Sequence, residues 1–341
     1  MIFLVSILLT AVSCVSIIFI SNFFGIVDSP DGIKKVHKGN IALGGGLCIF
    51  IPILLIHYIF PEALEMLSLN QKMIFSISFF ILILGLIDDI RPLAVSLRLI
   101  IQILVSWGVI IATDLYVRDL GDLIGTGSLY IGELGIPLTI FMVVGVTNAF
   151  NMLDGMDGLV SFVSLSAFIS FYYLSSFYNS SETGFIIFSC ILSTFILFNL
   201  GLFSKKWKIF LGDSGSMWLG FLIAWILIDL SEGPNQIIEP VAALWIVLLP
   251  LIDALSTFVI RKREGKPIFS GDRSHIHHIL LDAGLAKWKV LLIFISIIAF
   301  TTGFGIYLLI NDVRESYIFY SFLTVWFFYH LILKYPLSKN S

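Results

Sequence analysis

The sequence is poor in charge and in cysteine. Only 13% of its 341 residues are charged, whereas roughly 25% is usual in soluble domains, and 58% are hydrophobic. The three cysteines, Cys14, Cys48 and Cys190, are scattered through apolar segments and form no CxxC pair. We therefore expect neither a soluble globular domain, nor a disulfide-stabilised fold, nor a cysteine-based metal site.

Hydrophobic residues come instead in long runs, and a helix needs about 20 mostly apolar residues to cross a bilayer. The runs predict an all-α polytopic membrane protein with about eleven transmembrane helices in one domain, residues 1–341. The predicted spans are residues 2–24, 41–60, 70–87, 95–113, 136–150, 158–178, 184–203, 214–230, 240–260, 288–310 and 316–333.

Basic residues are distributed unevenly between the two sides on which successive loops alternate. All but four of the twenty fall on one side, the exceptions being Lys72, Arg98, Arg118 and Arg314. The positive-inside rule assigns that side to the cytoplasm. The N-terminus is therefore predicted to lie outside and the C-terminus in the cytoplasm.

Acidic residues on the predicted cytoplasmic side are nearly all aspartates, with Glu264 as the one glutamate. Short carboxylates suit metal coordination and helix capping. We therefore expect the catalytic groups in the cytoplasmic loops near residues 25–40, 88–94, 148–158, 204–216 and 261–287.

Two motifs place acidic side chains at the ends of predicted spans, and the second adds amide side chains. Asp88 and Asp89 are adjacent carboxylates that repel each other and favour a nearby cation, although a solvated helix end is the alternative. The segment NAFNMLDGMDG, residues 148–158, repeats a polar side chain every third residue, so that these side chains can share one face. They are Asn148, Asn151, Asp154 and Asp157, and a simple capped loop would not need all four.

A third motif, FLGDSGS at residues 210–216, follows a run of three lysines and opens the eighth span. Asp213 can act as a helix N-cap, or it can hold Mg²⁺ that bridges a diphosphate. Three histidines, His275, His277 and His278, lie in the longest inner loop. No HExxH pattern accompanies them, so phosphate or sugar contacts fit them better than zinc.

Two ionisable residues lie inside apolar runs. Arg98 and Asp253 are costly in a bilayer unless each is paired. We predict that they contact each other or another buried polar group.

The motifs Asp88-Asp89, NAFNMLDGMDGL at 148–159, FLGDSGS at 210–216 and DRSHIHH at 272–278 together resemble the bacterial polyprenyl-phosphate N-acetylhexosamine-1-phosphate transferases. The resemblance runs in order along nearly the whole chain and includes residues 27–46. The HIHH form that follows Asp-Arg resembles the members that use UDP-GlcNAc and undecaprenyl phosphate.

This resemblance implies roles for individual residues. It makes Asp213 the ligand of Mg²⁺, with Mn²⁺ as an alternative ion, and it places Phe210 against uracil. Asp88 becomes the candidate that activates the lipid phosphate, although the choice between Asp88 and Asp89 stays open. The implied catalytic residues are Asp88, Asp89, Arg273, His275, His277 and His278. The implied substrate-binding residues are Asp28, Lys34, Lys35, His37, Asn148, Asn151, Asp154, Asp157 and Phe210.

The implied reaction transfers GlcNAc-1-phosphate from UDP-GlcNAc to undecaprenyl phosphate and releases UMP. It would be the first membrane step of a cell-surface glycan such as lipopolysaccharide, at the cytoplasmic face of the bacterial inner membrane. A phosphate monoester is already anionic near neutral pH, its second pKa being about 6. We therefore expect direct attack by the lipid phosphate rather than a phospho-sugar intermediate on Asp88.

Three alternatives remain at this point. Another UDP-N-acetylhexosamine can replace UDP-GlcNAc in the same reaction. A transporter of an anionic lipid or nucleotide sugar is disfavoured, because transporters bind substrate near the bilayer midplane. A CDP-alcohol phosphotransferase would need a single Asp-rich helix pair, which this sequence lacks. Membrane lipids are expected neighbours, no nucleic-acid partner is expected, and a homodimer is left open.

Overall fold

The protein, seen here as a computed structural model, is built almost entirely of helices. The structure describes residues 1–29, 39–61, 67–178, 183–234, 236–266 and 275–337. Its α-helices are α1 (Ile2–Phe24), α2 (Gly45–Ile59), α3 (Leu69–Ile90), α4 (Val95–Thr113), α5 (Gly135–Leu153), α6 (Leu159–Phe177), α7 (Thr183–Asn199), α8 (Gly212–Glu232), α9 (Pro240–Ile246), α10 (Leu248–Arg263), α11 (Ile276–Asp282), α12 (Lys287–Ile310) and α13 (Glu315–Leu337). Short 3-10 turns cover Gly132–Leu134 and Lys205–Trp207, and two short strands are β1 (Val27–Asp28) and β2 (Ile41–Ala42).

Eight of the described helices are long and apolar enough to cross a membrane, and the bent pair α9–α10 brings the number to nine if it forms one span. The eight are α1, α3, α4, α5 with the turn before it, α6, α8, α12 and α13. Helices α2 and α7 are apolar but shorter. Each of the eleven predicted runs overlaps one of these helices or the bent pair. The prediction of an all-α polytopic membrane protein is confirmed, while the count of eleven crossings stays a prediction.

The bend between α9 and α10 measures 86° and has a local cause. Pro250 lies in the first turn of α10, four residues after Ile246, the last residue of α9. A proline ring clashes with the carbonyl four residues earlier and offers no N–H to bond it. The helix therefore stops at Ile246 and restarts in a new direction after Val247.

Helix α8 is the centre of the bundle. Every residue from Ser214 to Ser231 is buried, and α3 and α5 make the most extensive helix contacts with it. A Cβ atom added to Gly85 would lie 2.4 Å from Cα of Ser214, so only glycine lets α3 approach the first turn of α8 this closely. This approach brings the end of α3, with its two aspartates, beside the beginning of α8.

The β1–β2 pair supports the segment that leads into α8. Asp28 pairs with Ile41 in an antiparallel register. The Phe210 amide donates to the Ala42 carbonyl at 3.0 Å, and the Gly45 amide donates to the Phe210 carbonyl at 3.1 Å. The loop that carries Asp28 is thereby joined to the segment that carries Phe210.

Candidate active site

The adjacent residues Asp88 and Asp89 point at different partners. The two carboxylate oxygens of Asp89 accept the backbone N–H groups of Asp213 at 2.8 Å and Ser214 at 3.1 Å. Asp89 therefore caps the N-terminus of α8 from the end of α3. A carboxylate is favourable there, because the first N–H groups of a helix lack partners and carry partial positive charge.

Asp88 is held on the other side by the start of α4. Its Oδ1 accepts the Leu93 amide at 2.6 Å, and its Oδ2 accepts Nη1 of Arg98 at 2.7 Å. Asp88 is buried, so this ion pair explains how Arg98 sits inside an apolar run. The prediction that Arg98 contacts a buried polar group is confirmed, with Asp88 rather than Asp253 as the partner.

Asn151 and Asp213 are brought together from α5 and α8. The Asn151 amide nitrogen donates to Asp213 Oδ1 at 2.7 Å and to the Ser216 hydroxyl at 3.1 Å. Asp213 is thus oriented from two directions, because Asp89 holds its backbone and Asn151 holds its side chain. The first turn of α8 is the point where the ends of α3 and α5 meet.

Asp154 lies in the connection after α5 and completes an acidic group with Asp89, Asp157 and Asp213. Burial raises the pKa of Asp154 well above the usual range, and the negative charges of these three neighbours raise it further. Carboxylates gathered at a partly buried position repel one another unless a cation or a proton neutralises them. The group therefore needs a bound cation or bound protons to neutralise it.

This donor set fits Mg²⁺ in one particular mode. Within the described residues, no three histidine, cysteine or acidic side chains form a closed metal-binding group. Mg²⁺ usually binds through one or two carboxylates and completes its shell with waters and substrate phosphates. Asp213 and Asp154 offer the carboxylates for that mode.

Asp157 is paired with a lysine that sequence reasoning left out of the site. Lys208 Nζ contacts Asp157 Oδ2 at 2.7 Å and lies 5.0 Å from the centre of the Phe210 ring. The run of three lysines before α8 was the available signal for it. Because Lys208 touches both Asp157 and Phe210, it links the α5–α6 connection to the segment before α8.

Asn199 is a second residue that sequence reasoning missed. Its Oδ1 accepts the Gly158 amide at 2.6 Å, and its Nδ2 donates to the Ile209 carbonyl at 2.9 Å. The side chain is buried at the end of α7. It fixes the turn after Asp157 against the segment before Phe210. A single asparagine ending an apolar run gave no pattern from which this could be recognised.

Asn148 is not directed at Asp213. Its amide nitrogen donates to Gln102 Oε1 at 2.7 Å and to the Val144 carbonyl at 2.8 Å. Gln102 in turn approaches the Met217 sulfur at 3.4 Å. The structure therefore places Asn148 in the contact between α4, α5 and α8, where it holds these helices together and does not contact Asp213 in the way Asn151 does.

The histidines around the start of α11 contact both α10 and the turn after Asp154. His275 Nδ1 lies 2.6 Å from Asp253 Oδ2, so Asp253 also has the buried polar partner that was predicted for it. A Cβ atom added to Gly155 would lie 2.3 Å from His277 Nε2, so His277 packs directly on the turn after Asp154. The His277 and His278 rings lie in contact, with their centroids 4.2 Å apart.

Four predicted site residues, Lys34, Lys35, His37 and Arg273, lie outside the described residues. Asp28 is described and lies in β1, next to the strand that supports Phe210. The site therefore draws on the ends of α3 and α5, the start of α8, and the histidines around the start of α11.

Comparison with known proteins adds independent evidence. Residues 72–231 match the model of glycosyl transferase family 4. The undecaprenyl-phosphate alpha-N-acetylglucosaminyl 1-phosphate transferase of Escherichia coli O157:H7 is 32% identical over 83% of this chain and 76% of its own length. The chain belongs to glycosyl transferase family 4. The protein of the same name from Haemophilus influenzae is 33% identical over 91% of this chain and 87% of its own length. The corresponding protein from Yersinia pestis is 34% identical over 77% of this chain. This family 4 membership confirms the resemblance drawn from the motifs and makes the chain a multi-pass membrane phosphotransferase.

Proposed function

We propose that this protein transfers GlcNAc-1-phosphate from UDP-GlcNAc to undecaprenyl phosphate and releases UMP. The observation that carries the proposal is the meeting of Asp89, Asn151, Asp154 and Asp213 at the first turn of α8. Three helix ends place an acidic, cation-binding group where a nucleotide diphosphate can be held. The names of the relatives supply the sugar and the lipid.

In the proposed reaction an oxygen of the lipid phosphate attacks the β-phosphorus of UDP-GlcNAc. The bond between the β-phosphorus and the oxygen that bridges to the α-phosphate breaks, and UMP leaves with that oxygen and its electron pair. Such phosphoryl transfers depend on positioning and charge neutralisation rather than on covalent work by the protein. Mg²⁺ on Asp213 and Asp154, with Mn²⁺ as an alternative, would neutralise charge on the diphosphate.

The remaining residues position the substrates in this scheme. Lys208 supplies a positive charge beside Asp157 and Phe210, where the nucleotide half of the donor would lie. Asn151 orients Asp213, and His277 covers the turn after Asp154. These contacts restrict the donor before the lipid phosphate arrives, which lowers the entropic part of the barrier.

The contacts of Asp88 support direct attack by the lipid phosphate. Both of its oxygens accept hydrogen bonds, from the Leu93 amide and from Arg98. A carboxylate committed to a guanidinium is a poor nucleophile and a weak base. Asp88 therefore fits the task of holding Arg98 and the α3–α4 turn near the acceptor better than that of carrying a phospho-sugar.

The proposal places the site at the cytoplasmic face of a bacterial inner membrane. The basic residues of the loops support this sidedness through the positive-inside rule. Eleven crossings, with the N-terminus outside, follow if α2, α7 and the bent pair α9–α10 each cross the bilayer. The product would begin a cell-surface glycan such as lipopolysaccharide.

Purified full-length protein in detergent tests the reaction. UMP should be released from UDP-GlcNAc only when undecaprenyl phosphate and Mg²⁺ are both present, and EDTA should stop the release. A panel of UDP-N-acetylhexosamines then decides the sugar. UMP release that is indifferent to the lipid, or a preference for another sugar in the panel, would contradict the proposal.

A further inference from the structure

A chain of three polar side chains runs from α13 through α10 to His275, the residue before α11. The Tyr329 hydroxyl of α13 donates to Asp253 Oδ1 at 2.6 Å. The other oxygen of Asp253, in α10, lies 2.6 Å from Nδ1 of His275, the residue that precedes α11. Asp253 and His275 are both buried. One carboxylate therefore joins elements that are far apart in the sequence.

The geometry determines which ring nitrogen of His275 carries a proton. An ionised carboxylate only accepts hydrogen bonds, so His275 Nδ1 must be the donor toward Asp253. In the neutral imidazole the other nitrogen, Nε2, is then the acceptor. The Tyr329 hydroxyl donates to the same carboxylate and stabilises its ionised form, which keeps this arrangement of protons.

His275 is connected to the acidic group by one further ring. The His275 and His277 rings are stacked, with centroids 5.6 Å apart and planes 14° from parallel. His277 Nε2 packs on Gly155, the residue after Asp154. A rotation of the His275 ring would therefore disturb the packing against the turn that carries Asp154.

A second buried carboxylate shows that a histidine partner is not the general solution in this bundle. Asp229 is also buried, and it accepts hydrogen bonds from Ser68, Asn70 and Gln71. These partners are neutral and do not titrate. Asp229 lies 16 residues after Asp213 on α8, roughly 24 Å away at about 1.5 Å per residue. Asp229, which is remote from the site, is satisfied by neutral partners, and Asp88 is paired with Arg98, whereas Asp253 is joined to a histidine.

We infer that Asp253 and Tyr329 are positioning residues that hold the His275 imidazole with its proton on Nδ1 and its Nε2 available as an acceptor. This inference rests on the proposed transferase function for its kinetic consequence, but its consequence for the proton position is independent of that function. It makes α13 part of the catalytic apparatus even though none of its described side chains belongs to the acidic group.

The test uses full-length protein in detergent with ¹⁵N-labelled histidine, and the His275 signals are assigned by their loss in His275→Gln. Asp253→Asn can turn its amide oxygen toward the Tyr329 hydroxyl and its amide nitrogen toward Nδ1, in which case the proton moves to Nε2 and the ¹⁵N shifts of the two ring nitrogens exchange. Asp253→Ala removes the acceptor in either orientation, so the proton should no longer be held on Nδ1 and the two ¹⁵N shifts should move toward each other. Asp229→Asn is the matched control, because it removes a buried carboxylate of the same kind and should leave the His275 shifts unchanged.

Kinetics supply the second readout. Tyr329→Phe removes one hydrogen bond to a charged group and should lower kcat by about tenfold, with KM for UDP-GlcNAc changed by less than about twofold. The control Tyr317→Phe removes a hydroxyl from an exposed position on the same helix and should leave kcat unchanged. Tyr329→Phe keeps the ring volume, so it remains informative even if Asp253→Asn fails to fold.

Each outcome decides between the two hypotheses. Exchanged His275 shifts in Asp253→Asn support the positioning role even if wild-type protein proves to have a different activity. Unchanged His275 shifts in both folded Asp253→Asn and folded Asp253→Ala, or equal kcat values for Tyr329→Phe and Tyr317→Phe in an active transferase, overturn the positioning role and leave the proposed function standing.

Discussion

Asp89 stabilises the start of α8, whereas Asp213 is the proposed metal ligand. Replacing each by asparagine should therefore separate an effect on stability from an effect on catalysis. In Asp89→Asn, one oxygen still accepts a backbone N–H of α8, but the new amide group turns a donor toward the other N–H. A hydrogen bond to a charged group contributes about 1.5–3 kcal/mol. We therefore expect the free energy of unfolding to fall by about 2 kcal/mol.

Asp213→Asn should behave differently. Its oxygen can still accept from Asn151, and its lost negative charge relieves repulsion with Asp89 and Asp154. The free energy of unfolding should therefore stay within about 0.5 kcal/mol of wild type. Turnover should nevertheless be abolished, because one formal charge and a ligand for a hard cation are lost.

The assay compares unfolding of the two variants in the same detergent at several scan rates, since thermal unfolding of membrane proteins is often irreversible. At an unfolding entropy of about 2.1 cal/mol/K per residue, a loss of about 2 kcal/mol corresponds to a fall of roughly 3 °C in Tm for a chain of 341 residues. A wild-type Tm for Asp89→Asn would refute the stabilising role of Asp89 as the cap of α8, and an equal fall for Asp213→Asn would refute the expectation that Asp213 serves catalysis rather than stability. Substantial activity of Asp213→Asn with unchanged Mg²⁺ dependence would remove Asp213 from the metal site.

Three further predictions concern topology, positioning and route. In intact cells a cysteine at Lys205 should be shielded from an impermeant thiol reagent and one at Glu232 should be labelled; the reverse pattern would overturn the orientation. Asn199→Ala removes both hydrogen bonds that join the turn after Asp157 to the segment before α8, and it should raise KM for UDP-GlcNAc severalfold. An unchanged KM would show that substrate binding does not depend on these two hydrogen bonds. Direct attack predicts no exchange of labelled UMP into UDP-GlcNAc without lipid, and a sugar-phosphate adduct on Asp88 found by mass spectrometry would favour the two-step route.

Most of the helices could be predicted because a helix that crosses a membrane needs a long run of apolar residues, which is visible in the sequence. All eleven runs overlap a helix or the bent pair. The bend itself also has a sequence cause, Pro250, but the direction in which α10 continues depends on packing. The candidate aspartates were recognisable because they stand at the ends of apolar runs, paired at Asp88-Asp89 or repeated with asparagines every third residue between 148 and 157.

The pairing of these side chains could not be predicted, because it depends on how helices pack. Asp88 and Asp89 are neighbours in sequence, yet one meets Arg98 of the next helix and the other meets the start of α8. Asn148 and Asn151 are one turn apart and have partners on different helices. Spacing identifies residues on one face, but it does not identify what each of them touches.

The most direct test of the proposed reaction follows the β-phosphate of the donor. UDP-GlcNAc labelled with ³²P at the β-position is incubated with purified protein, undecaprenyl phosphate and Mg²⁺, and the lipid and aqueous fractions are separated. We predict that the label enters the lipid fraction together with GlcNAc, while unlabelled UMP appears in water in equal amount. Release of labelled UDP, with GlcNAc alone on the lipid, would show sugar transfer without the phosphate and would contradict the proposed function.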